Sequence, residues 1–150
     1  MKYGIKRIET RGKIIENNVP PRKRECMQIN EFKNFRALLN KTQKQMSQLL
    51  GVSLNAIHSY EQGWRSIPPH IERQMLFLVI HKKKAGKKGA VCWEIRDCPE
   101  QWKKKCPAWE FSLGDLCWFI NGTICDGEVK QTWGEKIAIC KSCPVFLPFI

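Results

Sequence analysis

The sequence lacks any long apolar run: its longest, residues 75–80, has six residues, against about 20 for a membrane-spanning helix. No apolar stretch follows the basic N-terminus, residues 1–13, so it does not read as a secretory signal. The expectation is a soluble, cytoplasmic protein with no membrane partner. Histidine is scarce, three in 150 residues, and none lies after His81. His58, His70 and His81 have no second catalytic group near them in sequence. There is no nucleophile elbow, phosphate-binding glycine loop, metalloprotease helix or dinucleotide fingerprint, so an enzyme is not expected. Acidic residues are also few, 14 against 26 basic, for a net charge of +12. An apolar content of 43% nevertheless argues against wholesale disorder.

What is present is unevenly spread. Residues 1–91 hold 19 Lys and Arg against 6 Asp and Glu, whereas residues 92–150 hold 7 against 8. Seven of the eight cysteines and five of the six tryptophans fall in the second part. Opposite asymmetries of charge and sulfur predict two domains with different tasks. Four segments are expected: a basic arm over 1–28, a helical domain over 29–80, a basic linker over 81–90 and a cysteine-rich domain over 91–150. The linker contains five lysines and no apolar face, and a solvated extension of the preceding helix would cover at most its first turn. In the arm, Pro20-Pro21 excludes regular helix, and residues 1–16 read either as a short strand pair around Gly12 or as a flexible arm. Cys26, beside Arg22, Lys23 and Arg24, reads as a bystander thiol.

The basic half is written in helical signals. Phe32, Phe35, Leu38 and Leu39 give one face of a first helix, with Asn30 as its expected N-cap. Thr42 with Gln45 makes a capping box for a second helix that buries Met46, Leu49 and Leu50 and ends at Gly51. Ser53 caps a third helix, with Ile57 and Tyr60 inward and Gly63 as its stop. A fourth follows Pro68-Pro69, carrying Ile71, Met75, Leu76, Leu78 and Val79. Two short helices joined by a glycine turn within such a cluster describe a helix-turn-helix. Residues 42–63, with Thr42-Gln43, Gly51-Val52-Ser53, Ile57 and Glu61-Gln62-Gly63, resemble the lambda-repressor-like, or XRE-type, DNA-binding family. Ser47 stands where that family usually has Ala, and Leu54 is less polar than its usual base-reading residue.

That resemblance implies a fold of four or five helices and a role for each matched position. Gln43 would hold a phosphate at a helix N-terminus. Ser53, Leu54, Asn55 and Ser59 would face the major groove, where Asn can pair with adenine and Leu can touch a thymine methyl. His58 would flank them. Arg65 and Ser66 could reach backbone from the next loop, and Lys41 and Lys44 could add phosphate contacts. The implied partner is double-stranded DNA, bound by a homodimer on paired half-sites. Some helix-turn-helix units bind proteins instead, but the positive charge here favours phosphate. No aromatic strand platform of the kind that stacks single-stranded RNA is evident.

The second half is expected to be small and irregular, built around metal. Its seven cysteines are Cys92, Cys98, Cys106, Cys117, Cys125, Cys140 and Cys143. Disulfides need an oxidising compartment, and inert buried thiols rarely bring a Cys-x-x-Cys (Cys140, Cys143) together with Cys-Pro steps such as Cys106-Pro107 and Cys143-Pro144. Thiolate-only donors suit an iron–sulfur cluster, [4Fe-4S] foremost, or structural zinc. With only one close cysteine pair and an aromatic-rich surround, the cluster is favoured, although the tryptophans could equally be the core of a small domain. One four-thiolate site would leave three cysteines over, and spacing does not say which four bind. The pattern Cys92-Trp93-Glu94, Cys98, Cys106-Pro107-Ala108, Cys117-Trp118, residues 122–127, Lys136 and residues 140–143 resembles a small bacterial cysteine-rich domain named for its two Cys-Trp pairs. The apolar end, residues 145–150, is expected to pack back on this domain or to dock a partner subunit. The expectation for the whole chain is a sequence-specific transcriptional regulator whose cysteine-rich part senses redox state. The alternatives are a zinc-stabilised interaction module anchored on DNA and, third, an electron-transfer module.

Overall fold

The computed structural model describes residues 27–86 and 89–149. The arm, including Pro20-Pro21 and Cys26, falls outside them except for Met27 and Gln28. Met27 is buried in the core.

The described residues are mostly helical, with one two-stranded sheet among them. Helices α1 (Ile29–Leu38), α2 (Gln43–Leu50), α3 (Leu54–Gln62) and α4 (Pro69–Lys84) form the first half. Thr42 and Gln45 form the full reciprocal capping box, and the Ser53 hydroxyl accepts from the Ala56 N–H. Gly51 and Gly63 close α2 and α3 at φ 65° and 76°, the left-handed region where a side chain would be strained. At α1 the expectation is corrected. Gln28, not Asn30, is the N-cap residue, and it makes no side-chain capping bond. Two expected core residues also differ: Leu38 and Leu49 are exposed, while Ser47 is buried with its hydroxyl on the Lys44 carbonyl at 2.8 Å. A small hydroxyl that bonds its own helix fits where a longer polar chain would not.

The second half has three helices of one turn each, α5 (Cys92–Ile95), α6 (Glu100–Lys103) and α7 (Pro107–Glu110), then a 3-10 turn at Cys117–Phe119. Strands β1 (Thr123–Cys125) and β2 (Glu128–Lys130) pair antiparallel through Asp126-Gly127, both at positive φ as a tight hairpin demands. Helix α8 (Trp133–Cys140) carries a second capping box, Thr132 with Glu135. Beyond it Val145 and Phe146 are buried, so the apolar end packs back on the chain.

Of the segment expected as a linker, the described residues are exposed except Lys84, which is buried, and Gly89, which is half-buried. Helix α4 continues through Lys84, and one hydrophobic core joins Phe32, Ile57, Ile71 and Met75 to Trp118, Trp133, Ile137 and Phe146. Polar contacts lock the same seam. Trp133 Nε1 donates to Glu72 Oε2 at 2.8 Å, and the Arg73 guanidinium lies 4.6 Å from the Trp133 ring centre. The buried Lys84 ammonium donates to Asp115 Oδ2 at 2.9 Å. The sequence pattern missed this because a lysine run looks solvated, yet a lysine stem can cover apolar surface while its head finds an acid. No described helix is long and apolar enough to cross a membrane.

Candidate functional site

Two surfaces concentrate the expected site residues. The first is the outward side of α2 and α3. Ser53, Leu54 and Asn55, at the N-terminal end of α3, are all exposed, as are Lys44 and Arg65. Ser53 already accepts a capping hydrogen bond, so its hydroxyl is left to donate. Ser59 is half-buried and donates to the Asn55 carbonyl at 2.8 Å, which leaves it only lone pairs to offer. Gln43 is less free than expected. Its amide Nε2 donates to Glu61 Oε2 at 2.7 Å, leaving one N–H and the carbonyl oxygen for another ligand.

Glu61 ties three helices together. It is buried on α3 and accepts from Arg36 of α1 at 2.5 and 3.1 Å as well as from Gln43 of α2. Burial pushes its carboxyl pKa up, but hydrogen bonds from Arg36 and Gln43 and the Arg36 charge outweigh that and hold it below the usual range. In the sequence Glu61 holds only a motif position, and nothing there marks Arg36. The resulting clamp fixes the angle of α3 against α2. Trp64 was also passed over. It is 76% exposed beside Arg65, where a lone tryptophan after the Gly63 stop has no helical pattern to place it.

The second surface is a cavity of about 70 Å³ in the cysteine-rich half. All seven cysteines expected as ligands line it. They arrive from different elements: Cys92 from the start of α5, Cys106 from the N-cap of α7, Cys117 from the 3-10 turn, Cys125 from the end of β1 and Cys140 from the last turn of α8, with Cys98 and Cys143 from loops. All seven are free thiols. Among the described residues, no three His, Cys, Asp or Glu side chains stand close enough for a single-ion site. That volume exceeds what a single water molecule needs.

Hydrogen-bond donors surround the sulfurs. The Ile124 N–H meets Cys106 Sγ at 3.5 Å, Lys136 Nζ meets Cys125 Sγ at 3.6 Å, and Arg96 Nη1 meets Cys143 Sγ at 3.7 Å while pairing with Asp126. The Cys92 and Cys117 sulfurs share a hydrogen bond, which lowers Cys92 and, with burial, raises Cys117 strongly. Burial pushes Cys140 up to about 12 and also raises Cys98. The tryptophans divide between two tasks. Trp118 and Trp133 are core, whereas Trp93, Trp102 and Trp109 wall the cavity, Trp93 and Trp109 meeting edge-on with ring centres 4.8 Å apart. Nothing in the sequence links Arg96 to the distant Asp126.

No family model matches this chain, and comparison with curated proteins and with solved structures likewise found no match.

Proposed function

We propose that the chain is a double-stranded-DNA-binding transcriptional regulator whose cysteine-rich half holds an iron–sulfur cluster and acts as its sensor. The observation that carries this reading is the placement of α8. One face of that helix sends Trp133 to Glu72 of α4, and the same short helix places Lys136 and Cys140 on the thiol-lined cavity. Whatever occupies the cavity is therefore one helix away from the core of α1–α4.

For the reader, α2 and α3 form the helix-turn-helix. Asn55 is exposed where it would meet a base edge, and Leu54 where it would meet a thymine methyl. The Arg36–Glu61–Gln43 clamp fixes the angle at which α3 is offered, and Lys44 and Arg65 supply phosphate contacts. Dimers of such readers match paired half-sites about one helical turn apart, and a homodimer is part of the proposal.

For the sensor, the donor set fits a cluster. Cys92, Cys98, Cys106, Cys117, Cys125, Cys140 and Cys143 supply soft sulfur around one cavity, the donor type that an iron–sulfur cluster takes. When bound, a cluster supplies a group that changes charge on reduction and is dismantled by oxidants. Trp93, Trp102 and Trp109 slow the approach of water, and Lys136 and Arg96 direct N–H groups at sulfur. The test begins with metal and sulfide analysis of protein purified without oxygen. Duplexes selected from a random pool are then bound by reduced, oxidised and metal-free protein at one salt concentration. Iron with sulfide and unequal affinities support the proposal. Stoichiometric zinc favours the DNA-anchored interaction module, and equal affinities leave no sensor.

A further inference from the structure

Lys136 is fully buried, yet its ammonium sits among sulfur and hydroxyl rather than carboxylate. Nζ donates to the buried Thr123 Oγ1 and to Cys125 Sγ. No Asp or Glu among the described residues forms an ion pair with it. Sequence spacing puts Lys136 and Cys140 on one face of α8, four residues apart, and that face is turned to the cavity. The wall adds two more cations, Arg96 and Lys103, and one carboxylate, Asp126, which is exposed and already paired with Arg96. An ammonium taken from water without a compensating charge strongly destabilises a fold. The groups near Lys136 that can become anionic are thiols, and they do so when metal displaces their protons, one proton leaving per thiol bound. A divalent zinc with four thiolates carries two negative charges, as does a doubly charged iron–sulfur core with four thiolates.

We propose that Lys136 is the buried counter-cation of an anionic metal–thiolate group, and that Cys125, to which it donates, is one of the thiolates holding that group. This deepens the reading of the cavity as a metal site and rests on it. Lys136 is then a positioning residue whose effect must reverse sign with occupancy. In metal-free protein it has no carboxylate partner among the described residues, and in loaded protein it is half of an ion pair.

The experiment compares full-length wild type, Lys136→Met and Cys125→Ser, each prepared metal-free and then loaded without oxygen with iron and sulfide or with zinc. In the metal-free state Lys136→Met should unfold at a higher temperature than wild type. In the loaded state it should lose metal to a chelator about 10 to 100 times more readily, the usual range for removing a partner outside the ligand set. Cys125→Ser should lose metal at least as readily as Lys136→Met. A wild type that takes up neither preparation fails the cavity reading and the proposal with it. A loaded Lys136→Met that keeps its metal as wild type does overturns the proposal while the cavity reading stands. A metal-free Lys136→Met that melts earlier, or does not fold, shows a lysine needed for packing alone and also overturns it. A Cys125→Ser variant that holds metal normally removes Cys125 from the ligand set.

Discussion

The two halves of this chain differ in what fills their centres. In α1–α4 the centre is solid: Phe32, Met46, Ile57, Ile71 and Met75 have no exposed surface. Its helices are 8 to 16 residues long, and α2 and α3 have a capping residue at one end and a left-handed glycine at the other. In the cysteine-rich half the centre is a cavity edged with thiols, and α5, α6 and α7 have four residues each. A single turn does not hold itself in water, because nucleation costs more than one hydrogen bond returns. The contrast teaches that the first half is specified by its own apolar pattern, whereas the single turns of the second depend on the contacts around the cavity for their shape.

The largest effect should come from emptying the cavity. Structural metal in small domains contributes on the order of 10 kcal/mol to folding. Chelating the loaded protein should therefore abolish amide protection in α5–α7 and leave α1–α3 protected by hydrogen exchange. Equal loss in both halves would break the comparison. Reloading has a pH dependence of known sign. The Cys140 thiol is held at about 12, and Cys98 above its usual value, by burial. Metal must displace those protons, so apparent affinity rises with pH and falls in acid. An affinity that is flat between pH 6 and 9 would mean that these thiols are not ligands.

Next in size is the solid core. Ile57→Ala should cost about 2 to 5 kcal/mol, the range for emptying a buried aliphatic site. The loss should be equal in loaded and metal-free protein, read from denaturant midpoints. Unequal losses would mean that the halves share stability more deeply than their seam indicates.

The seam itself comes third. Trp133→Phe removes the N–H that meets Glu72, whose other oxygen, Oε1, has no partner among the described residues. Leaving a buried acceptor unmatched costs about 1 to 3 kcal/mol. Burial raises the Glu72 pKa, although the Trp133 hydrogen bond and the Lys141 charge pull the other way. A carboxyl raised in the folded state favours folding below its unfolded pKa and loses that contribution as pH rises through the folded value. Trp133→Phe should therefore be more harmful at pH 7 than in acid below the ordinary glutamate pKa of about 4.3. The same variant should narrow any difference in DNA affinity between loaded and metal-free protein. A difference of undiminished size would place the coupling elsewhere.

How much of this was legible in the sequence follows the same division. The capping box at Thr42, the glycine stops and the inward Met46, Ile57 and Ile71 could be read because each signal is local, within four residues. Leu38 and Leu49 misled for the same reason: helical spacing marks an apolar residue as inward without knowing where neighbouring helices stop. The seven thiols were legible as a set, but their convergence was not, since it depends on chain returns from Cys92 to Cys143. Lys84 and Lys136 were the least legible. A lysine looks solvated until the fold supplies Asp115 to one and Cys125 to the other.

The smallest effects on folding should come from the exposed face of α2 and α3, where they separate reading from mere attraction. Asn55 and Lys44 are both exposed and neither side chain holds the core, so alanine at either should change stability by no more than about 0.5 kcal/mol. Their effects on DNA should differ in kind. Asn55→Ala removes an amide that can pair with one base edge, so affinity for the selected duplex should fall by about 1 to 3 kcal/mol while binding to random duplex stays the same. Lys44→Ala removes one exposed positive charge. It should weaken selected and random duplexes alike and reduce the slope of log affinity against log salt by about 1. Titrations of both variants on both duplexes at several salt concentrations separate the two behaviours. If Asn55→Ala binds the selected duplex as wild type does, α3 is not the reading helix. The net charge of this half would then be general attraction to nucleic acid, with specificity to be sought in the loop of Trp64 and Arg65.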